Sequence, residues 1–335
     1  MTFKLVNFVL LGTVLGSLAG ACRAEGSDTK DCADESRPRI SFIDYTSPNI
    51  GVRPASQLKI KGKLSIPASR NAANNCRQDE GSGMGEGREK LPAVLILHGS
   101  GGVDSRGDFY EKALNAAGIA TLQIDMWEAR NVSGLTNRPQ LPIVSYPDAF
   151  GALKYLSEHQ PDIDPKRIGV LGFSWGGVVS LGASEQRYAA MFGEGGKFKA
   201  HVANYPACYG ANNAALTAPS GLSPAQAGTQ LINLTGAPVL IQIGSKDGYD
   251  NGTAHCVRLA QSVNLSNNNV VRVNQYEGAY HAWDRLMVEV EVLDKFANEG
   301  RPVVPNVIPT VQLVPDVADA YLSRSRVVKF FRQEL

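Results

Sequence analysis

The sequence predicts an α/β fold, with a mostly parallel central sheet and helices on both faces. Three observations lead there. From Pro92 onward, short apolar runs alternate with amphipathic stretches of helical length, the order that builds parallel strands joined by crossover helices. The strand-like runs are continuously apolar, as in Ala93-Val94-Leu95-Ile96-Leu97, which fits strands covered on both sides. The chain also has 335 residues and is 43% hydrophobic, enough for one substantial core.

Taken in order, residues 1–24 read as an export signal peptide. Lys4 supplies the early charge, Leu5 to Leu18 is apolar, and Ala19-Gly20-Ala21 offers a small-residue cleavage site. The apolar stretch is short for a membrane span and is interrupted by Gly12, Gly16 and Gly20. Cys22 follows at once, so a lipid anchor there is the alternative to free export into the periplasm or medium. Residues 25–38 are polar and are expected to form a flexible lead into a single domain over 39–335. Ile40 to Tyr45 and Leu58 to Ile66 alternate like two opening strands, and Asn71 to Glu89 is a long polar loop.

The regular alternation then begins. Strands are expected at 93–97, 119–124, 168–171, 200–204, 239–243 and 270–276. Helices are expected at 109–117, 146–159, from the turn after Phe173 to about Gln186, at 253–263 and at 316–331. Two irregular stretches remain: Ala207 to Gly236, rich in small residues, and Glu299 to Pro315, with four prolines. Either is placed to roof a site, as loops on a rigid sheet often are.

Charge and cysteines narrow the chemistry. A formal net charge of +1 without a Lys/Arg block gives no indication of a nucleic-acid surface or a polybasic membrane patch. Beyond Cys22 stand Cys32, Cys76, Cys208 and Cys256, which an oxidising compartment would join in any of three pairings. The economical pairing is Cys32 with Cys76 and Cys208 with Cys256. No spacing matches a zinc site, so no metal is expected.

The sharpest motif is Gly172-Phe173-Ser174-Trp175-Gly176-Gly177, directly after the apolar run ending at Leu171. A strand that breaks into Gly-x-Ser-x-Gly and enters a helix lifts the serine above the sheet as a nucleophile. A serine hydroxyl needs a base to take its proton, and an acid and then a histidine should follow on later strand ends. Asp247 follows the run ending Ile243-Gly244, with Asp250 as a fallback, and His281 follows the last strand. His98, His159, His201 and His255 do not occupy that last loop. An oxyanion hole needs backbone N–H donors. Trp175 supplies one, and Ser100 or Gly101, in His98-Gly99-Ser100-Gly101-Gly102, supplies the other.

These motifs, together with Tyr276-Glu277-Gly278-Ala279-Tyr280-His281-Ala282-Trp283, Ala116-Ala117-Gly118-Ile119-Ala120 and Tyr205-Pro206-Ala207-Cys208, resemble the dienelactone hydrolase family over roughly residues 55–285. The resemblance implies an α/β-hydrolase fold, a triad at the carboxyl edge of the sheet, no cofactor, and hydrolysis of a small-molecule ester or lactone. Two departures stand out. Dienelactone hydrolases proper carry a nucleophilic cysteine where Ser174 stands, and an acidic residue where this chain reads His98-Gly99. Both move the expectation from dienelactone towards other esters. Arg130, in Asp125-Met126-Trp127-Glu128-Ala129-Arg130, is a candidate for a substrate carboxylate or for a structural salt bridge. A serine peptidase on the same fold, and a non-catalytic binding protein on the same scaffold, are the competing readings.

Overall fold

A computed structural model describes residues 37–68, 89–135, 137–212 and 231–335. The stretch 1–24 expected to be an export signal, Cys22, nearly all of 25–38, Cys32, Cys76 and most of the polar loop at 71–89 lie outside these described residues.

The apolar runs become strands β1 (Arg39–Asn49), β2 (Ser56–Ile66), β3 (Leu91–Leu97), β4 (Ala120–Asp125), β5 (Ile163–Phe173), β6 (Ala200–Asn204), β7 (Val239–Lys246) and β8 (Val271–Tyr280). They form one sheet in the order β1-β2-β4-β3-β5-β6-β7-β8. The opening pair runs antiparallel, β2 runs antiparallel to β4, and every pairing from β4 through β8 is parallel.

Strand periodicity explains why the central runs are apolar throughout. In β3, Val94 and Ile96 join one core cluster, while Ala93, Leu95 and Leu97 join the other. Successive side chains point to opposite faces, so a strand covered twice needs no polar residue. The first face is covered by α1 (Ser105–Ala116), α6 (Ala254–Asn264) and α7 (Val317–Glu334), through Leu114, Leu259, Val327 and Phe331 among others. The second is covered by α2 (Tyr146–His159), α3 (Trp175–Ala183) and α4 (Gln186–Phe192), through Phe150, Leu153, Val179 and Tyr188. A short helix α5 (Cys208–Ala211) follows β6. The Cys208–Cys256 disulfide ties it to α6.

Three local outcomes differ from the pattern reading. Helix α1 begins at Ser105 because the Asp104 carboxylate caps it, accepting from the Arg106 N–H at 3.1 Å. The helix after Ser174 stops at Ala183 and restarts at Gln186. Between them Glu185 accepts from the N–H groups of Ile232 and Asn233, and this tether turns the chain. The proline-rich stretch holds a strand, β10 (Thr310–Leu313), paired antiparallel to β9 (Val290–Leu293). Prolines on either side of Thr-Val-Gln-Leu hide a four-residue strand from any periodicity count. This β9–β10 excursion leaves the chain after Trp283 and rejoins it at Asp316, whose N–H donates to the Trp283 carbonyl at 2.9 Å.

Candidate active site

Ser174 sits between β5 and α3 with φ 51° and ψ −110°. A non-glycine residue adopts such a backbone only when its surroundings enforce it. Here the enforcement is close packing at the flanking glycines. A Cβ on Gly172 would lie 1.9 Å from the Gly176 carbonyl oxygen, and one on Gly176 would lie 2.4 Å from that of Leu97. Two hydrogen bonds fix the turn: Ser174 N–H to the Asn204 carbonyl at 2.9 Å, and Gly176 N–H to the His98 carbonyl at 3.1 Å.

The ends of β7 and β8 bring the other two groups to this turn. His281 Nε2 lies 2.9 Å from Ser174 Oγ, and His281 Nδ1 lies 2.7 Å from Asp247 Oδ2. The remaining Asp247 oxygen accepts from the Tyr249 N–H at 2.9 Å, so the carboxylate is held from both sides. The imidazole is wedged between two rings, Tyr249 at 4.4 Å and Tyr205 at 4.9 Å. Tyr205 is itself held by Arg106 and Asp284 through its hydroxyl. The fallback acid has another task. Asp250 accepts from the N–H groups of Cys208 and Tyr209, both at 2.8 Å, and so anchors α5. Burial, followed by the neighbouring Asp247 charge, pushes the Asp250 carboxyl well above the usual range.

Of the two oxyanion alternatives, Ser100 faces the site. Ser100, Ser174 and Trp175 line one cavity, whereas Gly101 is exposed and outside that lining. Among the described residues, nothing accepts from the N–H of Ser100 or of Trp175. Sequence reading assigned no task to His98, yet it sets this peptide. The Met126 N–H donates to its Nε2 at 2.9 Å, so the ring proton rests on Nδ1 and donates to the Gly99 carbonyl at 2.7 Å. That carbonyl also accepts from Gly102 N–H at 3.0 Å. Gly99 C=O and Ser100 N–H belong to one planar unit, so holding the first aims the second.

Arg130 is a correction. Its guanidinium is committed to Asp148 through both oxygens, at 2.6 and 3.1 Å, and to the carbonyls of Met126 and Val144. It pins the segment before α2 to the end of β4 and does not line the cavity. The remaining histidines are also occupied elsewhere: His159 packs at a tilt against Tyr155, His201 is buried in β6, and His255 pairs with Glu299. Cys208, Asp250 and Cys256 bring three potential ligand atoms within 4.8 Å, but the sulfurs are bonded to each other.

The cavity over Ser174 measures about 110 Å³ and is walled mainly by Leu141, Ile143, Val178, Tyr188, Tyr249 and Phe296. It is somewhat smaller than the roughly 150 Å³ that admits a benzene ring. No sequence motif announced these wall residues, which come from helices α3 and α4, from loops, and from the β9–β10 excursion. No helix among the described residues is long and apolar enough to cross a membrane.

A serine–histidine–aspartate relay under an apolar cavity, with two free N–H groups beside the serine, can do acyl transfer. Comparison with known proteins gives the family and the fold. The sequence profile of the dienelactone hydrolase family matches residues 83–301. No curated protein sequence matches the chain. Among solved structures, it is similar to Thermogutta terrifontis esterase 2 phosphoramylated by tabun, at 14% identity and a TM-score of 0.55, covering 86% of this chain and 93% of that one. It is similar to Est1E from Butyrivibrio proteoclasticus with ferulic acid bound, at 16% identity and 0.51, covering 87% and 98%. It is also similar to a dienelactone hydrolase from Anabaena variabilis, at 20% identity and 0.50, covering 89% and 99%.

Proposed function

The chain belongs to the dienelactone hydrolase family and is a hydrolase, and on that premise we propose that it cleaves carboxylic ester or lactone bonds through an acyl-enzyme on Ser174. The observation that carries this reading is the unbroken relay from Asp247 through His281 to Ser174 Oγ, at 2.7 and 2.9 Å.

The steps follow from the geometry. His281 Nε2 accepts the Ser174 proton as Oγ adds to the ester carbonyl, while Asp247 keeps the Nδ1 proton in place and stabilises the charged ring. The carbonyl oxygen becomes an oxyanion and takes the N–H groups of Trp175 and Ser100. Collapse expels the alcohol, which carries away the proton held on His281. Water then gives a proton to His281 as its oxygen adds to the acyl carbon, and collapse releases the acid while His281 returns that proton to Ser174 Oγ. Lining by tyrosines, Trp175 and aliphatic side chains favours apolar acyl or alcohol groups of modest size.

Serine at 174 and histidine at 98 favour ordinary esters over dienelactone. The Cys208–Cys256 disulfide and the apolar first residues favour export, with Cys22 as a lipid site in the anchored variant. The central test is turnover of p-nitrophenyl acetate by the mature chain beside Ser174→Ala. The substitution is expected to lower kcat by ~10⁴ or more. Equal rates from the two proteins would remove the assignment.

A further inference from the structure

Arg138 is the one charged side chain among the described residues lining the Ser174 cavity. The side chain is only 5% exposed. Its guanidinium lies 5.0 Å over the Phe296 ring and 5.7 Å over the Trp175 ring. Stacking between rings satisfies the flat faces of the group but uses none of its N–H donors.

Those donors are barely used. Arg138 Nη2 donates to Asp294 Oδ1 at 2.7 Å, and among the described residues the buried Nε has no acceptor. Asp294 is in the opposite condition. It also accepts from the Tyr249 hydroxyl at 2.7 Å and from the Phe296 N–H at 3.0 Å. The pair is balanced in charge and unbalanced in hydrogen bonds: the acid accepts three and the base donates one. Leaving a buried donor without a partner carries a desolvation penalty. Nε is sealed from the cavity, but the Nη groups of this lining residue are not, and a substrate oxygen there would accept from them.

Charge decides which oxygen. Asp294 already neutralises Arg138, so a substrate carboxylate would bring a net negative charge into an apolar cavity. An uncharged acceptor would not. Resting on the ester-hydrolase reading above, we propose that Arg138 is a specificity residue selecting esters whose cavity-bound portion carries a second, uncharged oxygen acceptor. A keto, ether or further ester oxygen has this chemistry. A site built to hydrogen-bond its substrate discriminates against the analogue that lacks the group. This role is separate from the carboxylate recognition considered for Arg130, and it comes from a residue that no motif marks.

The test compares kcat/KM for matched esters. p-Nitrophenyl 4-oxopentanoate is set against 4-methylpentanoate to probe the acyl side, and 2-methoxyethyl acetate against butyl acetate to probe the alcohol side. The unmodified protein is expected to favour the oxygen-bearing member of one pair by roughly tenfold or more. Arg138→Met should bring that ratio close to one. If Arg138→Met fails to fold because Asp294 is stranded, the paired variant R138M/D294N removes both charges and carries the same expectation. p-Nitrophenyl hemisuccinate should be a poorer substrate than its methyl ester. Ratios near one in the unmodified protein overturn the proposal, as does a preference unchanged in a folded variant or a preference for the hemisuccinate. Turnover of both pair members without discrimination sinks this inference alone, whereas turnover of no ester sinks the ester-hydrolase reading beneath it.

Discussion

One peptide plane, between Gly99 and Ser100, governs how well the site can hold negative charge. His98 grips its carbonyl at 2.7 Å, and with the grip gone the Ser100 N–H is free to swing away from the oxyanion. His98→Ala is therefore expected to lower kcat by about 10- to 100-fold, less than the full loss of an oxyanion donor, while KM moves by less than about threefold. Steady-state kinetics on one ester checks this, with His98→Asn recovering part of the loss because its amide can still donate. A change confined to KM would contradict the role. At this scale the sequence was informative where a residue's place in the order of elements defines its task. Ser174, Asp247 and His281 each follow a strand, and the structure brings the three within hydrogen-bond reach. It was silent on Arg138, Asp294 and His98, whose tasks depend on which loops meet in space. Arg130 sits in a suggestive local sequence, yet a buried partner 18 residues away claims it.

The turn carrying Ser174 is as much a property of β3 and α3 as of the serine. Helix α3 passes so near β3 that position 176 admits no side chain, with a Cβ there 2.7 Å from the Leu97 Cβ. Gly176→Ala must push the helix outward and strain the bond to the His98 carbonyl. The expected cost is about 1–3 kcal/mol of stability, with hydrolysis largely abolished as the serine shifts. Gly101→Ala is the contrast. Among the described residues nothing lies within 4 Å of a Cβ there, and the change is expected to stay within about 0.5 kcal/mol with activity retained. Urea unfolding and ester turnover on both variants decide the matter, and an inactive Gly101→Ala would reopen the choice of oxyanion donor. Strands and helices were legible because a doubly covered strand and an amphipathic helix have different periods. The break at Glu185 and strand β10 were not, because each is imposed by a partner distant in sequence.

For the whole molecule, acid stability turns partly on a histidine far from catalysis. His201 lies fully buried in β6, with Nδ1 donating to the Ser180 carbonyl at 3.0 Å and Nε2 without a partner among the described residues. Burial pushes its pKa from 6.5 down to about 4. Between those values the unfolded chain binds a proton that the folded chain refuses, so stability falls as pH drops through this window. The contribution is on the order of 3 kcal/mol. Denaturant unfolding at pH 7 and pH 4 should show a smaller loss for His201→Gln than for the unmodified protein, by about that amount. Equal losses would remove His201 from the account.

The hydrogen bond from Asp316 N–H to the Trp283 carbonyl closes the neck of a handle. Beyond Asp284, which stays in the core, the stretch up to Asp316 hangs outside the sheet, yet it supplies Phe296 to the cavity wall and Asp294 to Arg138. Selection can therefore lengthen, shorten or replace the handle while the chain's path through β8 and α7 stays put. Catalytic power and substrate choice are thus written on separately exchangeable stretches, and relatives sharing the relay are free to diverge in what they accept.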